Sequence, residues 1–165
     1  MTALARLIAT MGGLGHLRPA PGTWGSLAAL PIVWLFHALG GFPLLAAATI
    51  AVVLQGFWAV GLAIRTSSDE DPSEIVIDEV AGQMLALWPL SAAAWSRGID
   101  ITAMWPGWVA AFLLFRLFDI AKPGPVGWAD RKGGPVGVML DDVIAGLLAA
   151  IGVMILAALW HGVIA

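Results

Sequence analysis

The chain has 165 residues, 60% of them hydrophobic and 12% charged, with a net charge of −3, a mean hydropathy of +0.91 and no cysteine. An ordinary soluble domain carries about 25% charged residues, so the composition points to a membrane protein. The acidic balance argues against broad nucleic-acid binding. The lack of cysteine excludes disulfides, thiolate metal sites and cysteine-nucleophile phosphatase chemistry.

The length fits one domain covering residues 1–165. Met1–Met11 reads as a short amphipathic helix at a membrane interface, with Arg6 inside its apolar pattern and no cleavable signal peptide. Gly12–Ser26 is too dense in Gly and Pro for helix or strand, and Thr23 and Ser26 are placed to cap a helix starting at Leu27. Leu27–Leu39 is apolar but only 13 residues long, about 20 Å as a helix, so it spans or re-enters. His37–Pro43, with Gly40 and Gly41, reads as a turn. Leu44–Ile64 is a 21-residue apolar run broken only by Gln55, long enough to cross a bilayer.

Arg65–Glu74 is the one strongly hydrophilic stretch. Ile75–Leu90 is apolar but carries Asp78 and Glu79 in its first turns. Ser91–Ala103 is mixed and holds Arg97 and Asp100. Met104–Ile120 is apolar and ends with Arg116 and Asp119. Ala121–Pro135 is a second Gly/Pro loop, with Lys122, Asp130, Arg131 and Lys132. Val136–Trp160 is a 25-residue apolar run whose only charges are Asp141 and Asp142. No stretch alternates with the period of a strand. The expected fold is an all-α, membrane-embedded bundle of about five apolar helices plus the short N-terminal interfacial helix. Val136–Trp160, apolar on all faces, is the expected central helix.

An antiparallel up-and-down arrangement sorts the charges. Seven of the eight Lys and Arg residues and ten of the eleven Asp and Glu residues then fall at one end, leaving Arg97 and Asp100 at the other. The positive-inside bias makes the crowded end cytoplasmic. Asp78 and Glu79, Arg116 and Asp119, and Asp141 and Asp142 come to one depth. Arg116 and Asp119, three apart, share a helix face. The expectation is a pocket lined by up to five carboxylates and rimmed by Arg116 and Lys122.

Converging carboxylates in a low-dielectric site repel one another, and a carboxylate at bilayer depth costs about 2.5–3.5 kcal/mol on the mildest scale. A hard divalent cation resolves this. Oxygen ligands with no Cys or His cluster point to Mg²⁺, which keeps waters and favours phosphate oxygens. Arg116 and Lys122 supply donors for a phosphate. Gly22, Thr23 and Ser26 add backbone and hydroxyl donors at a helix N-terminus. Metal-assisted phosphoryl transfer to water is the simplest chemistry for such a set.

Each feature alone has a plainer explanation. Arg116 and Asp119 make a reasonable intrahelical ion pair, and Asp130–Lys132 a charged loop. Asp78–Glu79 or Asp141–Asp142 suits a helix N-terminus, and Pro21–Ser26 a turn with a cap. The tryptophans at 88, 95, 105, 108, 128 and 160 read as interface anchors. Three acidic pairs at one depth are harder to explain that way. Asp69–Asp71 resembles a DxD nucleophile motif but follows two serines in a polar loop instead of a buried strand.

Four segments resemble the phosphatidylglycerophosphatase A family: PAPGTWGSLAALP (Pro19–Pro31), EIVIDEVAGQ (Glu74–Gln83), FRLFDIAKPGPVGWADR (Phe115–Arg131) and GVMLDDVIAG (Gly137–Gly146). They occur in order over about residues 11–150, with Gly134-Pro135-Val136-Gly137 where the family usually has Gly-Gly-x-Gly. The resemblance implies a Mg²⁺-dependent hydrolase of the bacterial inner membrane, working on the cytoplasmic side. Its reaction would take phosphatidylglycerophosphate to phosphatidylglycerol and phosphate. It also implies a helical bundle around one central helix. The family's motif acids fall on Asp78, Glu79, Asp119, Asp141 and Asp142, with Arg116 and Lys122 as basic partners. Within that set, we assign Asp78, Glu79, Asp141 and Asp142 to the metal and Asp119 to positioning water or metal. Two other classes stay open: a metal-dependent phosphatase or pyrophosphatase for another membrane phosphate, and a non-enzymatic ion-handling membrane protein. In the last, the carboxylates should run through the bilayer to both ends.

Overall fold

The computed structural model describes residues 3–65 and 72–164. The described residues form seven α-helices and two short 3₁₀ turns, with no strand among them. Residues 66–71, and with them most of the Arg65–Glu74 loop and the Asp69–Asp71 run, lie outside the described residues.

Helix α1 is Ala3–Ala9. Helix α2, Pro21–Ile64, starts on a proline, whose missing N–H costs nothing in a first turn. It therefore begins before Leu27, and the expected caps are corrected: Thr23 and Ser26 lie inside the helix. Ala20 occupies the cap position with no side-chain bond, and Ser26 Oγ donates to the Gly22 carbonyl at 2.8 Å.

Helical geometry breaks within α2 only at Gly40 and Gly41, the latter with φ 64°. The chain reverses there, as the expected turn requires. A β-carbon at Gly25, on the first arm, would stand 3.0 Å from Val76 Cβ. One at Gly56, on the second, would stand 3.7 Å from Ile77 Cγ2. The Trp95 ring lies so close to Gly41 that a β-carbon there would come within 2.0 Å of it, so only glycine fits this corner.

Ile75–Leu90 does not form the single expected helix. Helix α3 is Ile77–Ala86 and ends at Leu87, and α4, Trp88–Arg97, restarts with Pro89 in its first turn. Helix α4 braces both arms of α2: His37 Nδ1 pairs with Ser91 Oγ at 2.7 Å, and Trp88 Nε1 donates to Thr49 Oγ1 at 3.1 Å. Helix α5 is Trp105–Ala121, α6 is the six-residue Pro125–Asp130 within the second Gly/Pro loop, and α7 is Gly134–Ile164.

The enclosed helix is α3, a correction to the expected centre. Every α3 residue except Glu79 is buried. Helix α7 packs on it with one face and leaves Leu147, Ile151, Ile155 and Leu159 exposed. Apolarity on all sides does not locate the centre, because α7 keeps an apolar outer face as well. Among the described residues, three helical segments are long and apolar enough to cross a membrane: Pro21–Ile64, Ile101–Ala121 and Gly134–Trp160. Trp95, Trp105, Trp128 and Trp160 are exposed, but Trp88 and Trp108 are half-buried, the latter bonded to the Ile101 carbonyl at 2.9 Å. Those two pack against the hydrophobic core.

Arg18 Nη1 donates to Ser73 Oγ at 3.3 Å, and the Val76 N–H donates to the Ala9 carbonyl at 3.0 Å. Both contacts bring the N-terminal segment onto the start of α3.

Candidate functional site

Two glycines bring α3 and α7 together. A β-carbon at Gly146 would stand 2.3 Å from the Gly82 carbonyl oxygen, and one at Gly82 would stand 2.6 Å from the Asp142 carbonyl oxygen. Backbones approach this closely only where side chains are absent. Gly82 lies one helical turn after Asp78, and Gly146 one turn after Asp142. The glycine contact thus sets the two aspartates at the same level on neighbouring helices.

Asp78, Glu79 and Asp142 form a cluster in which one carboxylate oxygen from each lies within 4.8 Å of the others. Asp78 and Asp142 are buried and Glu79 is half-buried. Asp78 Oδ1, Glu79 Oε2 and Asp142 Oδ1 are enclosed and have no hydrogen-bond partner. Three carboxylates in one enclosed space repel, and buried polar atoms without partners destabilise the fold. A divalent cation would remove both penalties. The all-oxygen donor set suits Mg²⁺ or a similar hard ion.

Helix α5 delivers the basic side of the pocket. Arg116 Nη1 donates to Asp119 Oδ2 at 2.5 Å, both side chains being 15% exposed. Asp119 also lies within hydrogen-bonding reach of Asp142. The α2 N-terminus closes over this group: a β-carbon at Gly22 would stand 2.0 Å from Glu79 Oε1 and 3.2 Å from Arg116 Nη1. Glycine at 22 is what lets the helix end reach the acids.

Lys122 ends α5 and turns its ammonium to Asp130 of α6 and, at 3.0 Å, to Asp141 Oδ2 of α7. Burial pulls the Lys122 pKa down, but the two carboxylates more than offset this and hold it above its ordinary value of 10.5. The second oxygen of Asp141 accepts the Asp142 N–H at 2.9 Å.

The expected residues therefore divide. Asp78, Glu79 and Asp142 converge, and Asp119 and Arg116 flank them. Asp141 is outside the three-acid cluster and belongs with Lys122 and Asp130. Thr23 is half-buried on the first turn of α2, and the buried Ser26 hydroxyl is committed to the Gly22 carbonyl. Two features escaped sequence reasoning. Asp130 reads as an ordinary loop charge, and only the fold of α6 brings it to Lys122. Gln83 is wholly buried with both amide atoms unpartnered. A polar residue four after Glu79 in an apolar helix was the available signal.

A family model described as phosphatidylglycerophosphatase A matches residues 7–157. The chain is 35% identical over 150 residues to phosphatidylglycerophosphatase A of Haemophilus influenzae, covering 88% of this chain and 83% of that protein. It is 32% identical over 146 residues to the Escherichia coli protein of the same name, covering 87% and 78%. It is also 39% identical over 151 residues to a putative phosphatidylinositol-3-phosphatase of Bacteroides thetaiotaomicron, covering 88% of each. No solved structure matches the chain.

Proposed function

The chain belongs to the phosphatidylglycerophosphatase A family, and from that premise we propose that its three-carboxylate pocket removes the terminal phosphate of phosphatidylglycerophosphate with the help of Mg²⁺. The observation that carries this reading is the trio of enclosed, partnerless oxygens on Asp78, Glu79 and Asp142. These three residues hold the ion. A bound Mg²⁺ supplies charge neutralisation at the phosphate oxygens and a more acidic water.

The remaining roles follow from position. Arg116 presents its guanidinium to the phosphate, assisted by the Gly22 backbone N–H at the α2 N-terminus. Thr23 adds a hydroxyl, and Ser26 shapes that helix end through its bond to Gly22. Asp119, between Arg116 and Asp142, orients the attacking water. Lys122, fixed by Asp130 and Asp141, sets positive charge at the rim. Water bonds to phosphorus, the P–O bond to the glycerol oxygen breaks, and that oxygen takes up a proton, giving phosphatidylglycerol and inorganic phosphate. The head group enters at the charged, cytoplasmic end, while the acyl chains stay in the bilayer beside the exposed apolar faces.

Phosphate release from detergent-dispersed phosphatidylglycerophosphate, phosphatidylinositol 3-phosphate and phosphatidic acid tests the substrate. The second lipid is included because one relative's name points to it. Preference for phosphatidylglycerophosphate is the expected result. Preference for another lipid would keep the phosphatase and replace its substrate.

A further inference from the structure

Gln83 is fully buried on α3, and neither its amide nitrogen nor its amide oxygen has a partner. It stands four residues after Glu79, so the two side chains share a helix face one turn apart. Glu79 Oε2 is partnerless as well. A primary amide that has lost water and gained nothing weakens the fold. Here the orphaned donor and the orphaned acceptor are complementary and stand at the spacing that lets side chains on a helix meet.

No cation of the pocket bonds Glu79 Oε2 in this structure, although Arg116 Nε is itself buried without a partner. Lys122 is committed to Asp130 and Asp141. Arg116 Nη1 is bonded to Asp119 and lies on the Gly22 side, where Glu79 presents Oε1. The orphan is the other oxygen, Oε2.

We infer that Gln83 is a positioning residue for the acidic pocket: its Nε2 and Glu79 Oε2 are not bonded to each other in this structure, and when the pocket holds a divalent cation that Nε2 donates to the Glu79 carboxylate and fixes it against the ion. The Gln83 Oε1 is left to accept from water. The inference rests on the reading of the pocket as a cation site. Outer hydrogen bonds of this kind orient metal-ligating groups, and losing one weakens metal affinity by about 10–100-fold.

The test uses the purified full-length protein in detergent, with Mg²⁺ binding followed by titration calorimetry and thermal unfolding measured with and without Mg²⁺. The variants are Gln83→Met, which keeps the bulk and removes the amide, and Gln83→Leu. Without Mg²⁺ both are expected to melt no lower than the parent, because a partnerless amide is gone. Both are expected to bind Mg²⁺ about 10–100-fold more weakly. A purely structural glutamine would give the reverse: lower melting with unchanged Mg²⁺ affinity. That result, or failure of both variants to fold, overturns the inference. Absence of Mg²⁺ binding by the parent overturns it too, and that failure is distinct because it appears in the parent arm and removes the cation site itself.

Discussion

Lys122 Nζ donates to Asp141 Oδ2 at 3.0 Å, whereas the adjacent Asp142 presents a partnerless oxygen to Asp78 and Glu79. Two neighbouring aspartates on one helix thus have different surroundings, about 100° apart around its axis. Asp142→Asn is expected to abolish activity. Asp141→Asn is expected to lower it by about 10–100-fold, the range for a group that acts through a partner. Steady-state phosphate release compares the two, and equal losses would refute the division of roles.

Lys122→Met strands Asp130 and the buried Asp141 without their shared cation. The expected destabilisation is about 1.5–3 kcal/mol, the scale of a hydrogen bond to a charged group, read by thermal unfolding at pH 7.5. Because its pKa is raised in the folded state, the stability that Lys122 contributes is fully present below pH 10.5 and is lost only as pH rises through the raised value. The difference between parent and Lys122→Met should therefore stay constant between pH 7 and pH 10. A difference that vanishes by pH 9 would contradict the ion-paired ammonium.

Gly146→Ala places a methyl group where the Gly82 carbonyl now lies. Helix α7 must then shift against α3, costing about 1–3 kcal/mol as overpacking does, and the shift moves Asp142 from Asp78. Gly162→Ala, on the same helix with nothing within 4 Å, is the control and should be near neutral. Melting temperatures and activities of the two variants check this together, and a tolerated Gly146→Ala would show that the helices have room.

Neutralising one acid of the cluster should stabilise the metal-free protein. Two carboxylates about 4 Å apart repel by roughly 1–4 kcal/mol between effective dielectrics of about 80 and 20. With chelator present, Asp78→Asn is expected to melt above the parent, and adding Mg²⁺ should raise the parent and leave the variant unchanged. Lower melting of the variant in chelator would mean that Asp78 has partners within the fold.

Much of this site was legible in the sequence because charge is costly in an apolar chain. Asp78, Glu79, Arg116, Asp119 and Asp142 stand out as charges at one depth, and the bundle brings them together. The turn at Gly40–Gly41 was legible for a similar reason, since two glycines and Pro43 interrupt an apolar run. Helix order and depth could be read, but rotation about each helix could not. The sequence therefore groups Asp141 with the other acids, and only the structure shows its bond to Lys122. The centre was hidden because α7 is apolar on its exposed face as well as on its buried one. The break at Leu87 was hidden because Pro89 is equally at home in the first turn of a new helix. The Thr23 and Ser26 caps were misplaced for the same reason: Pro21 starts the helix earlier.

The most direct test of the central claim is phosphate release from phosphatidylglycerophosphate with and without Mg²⁺, for the parent and for Asp142→Asn in detergent. Circular dichroism on both proteins verifies that the helices are retained. Release that requires Mg²⁺ and is lost in the folded variant is the expected result. Release that survives chelation, or that the substitution leaves intact, would contradict a cation held by Asp78, Glu79 and Asp142.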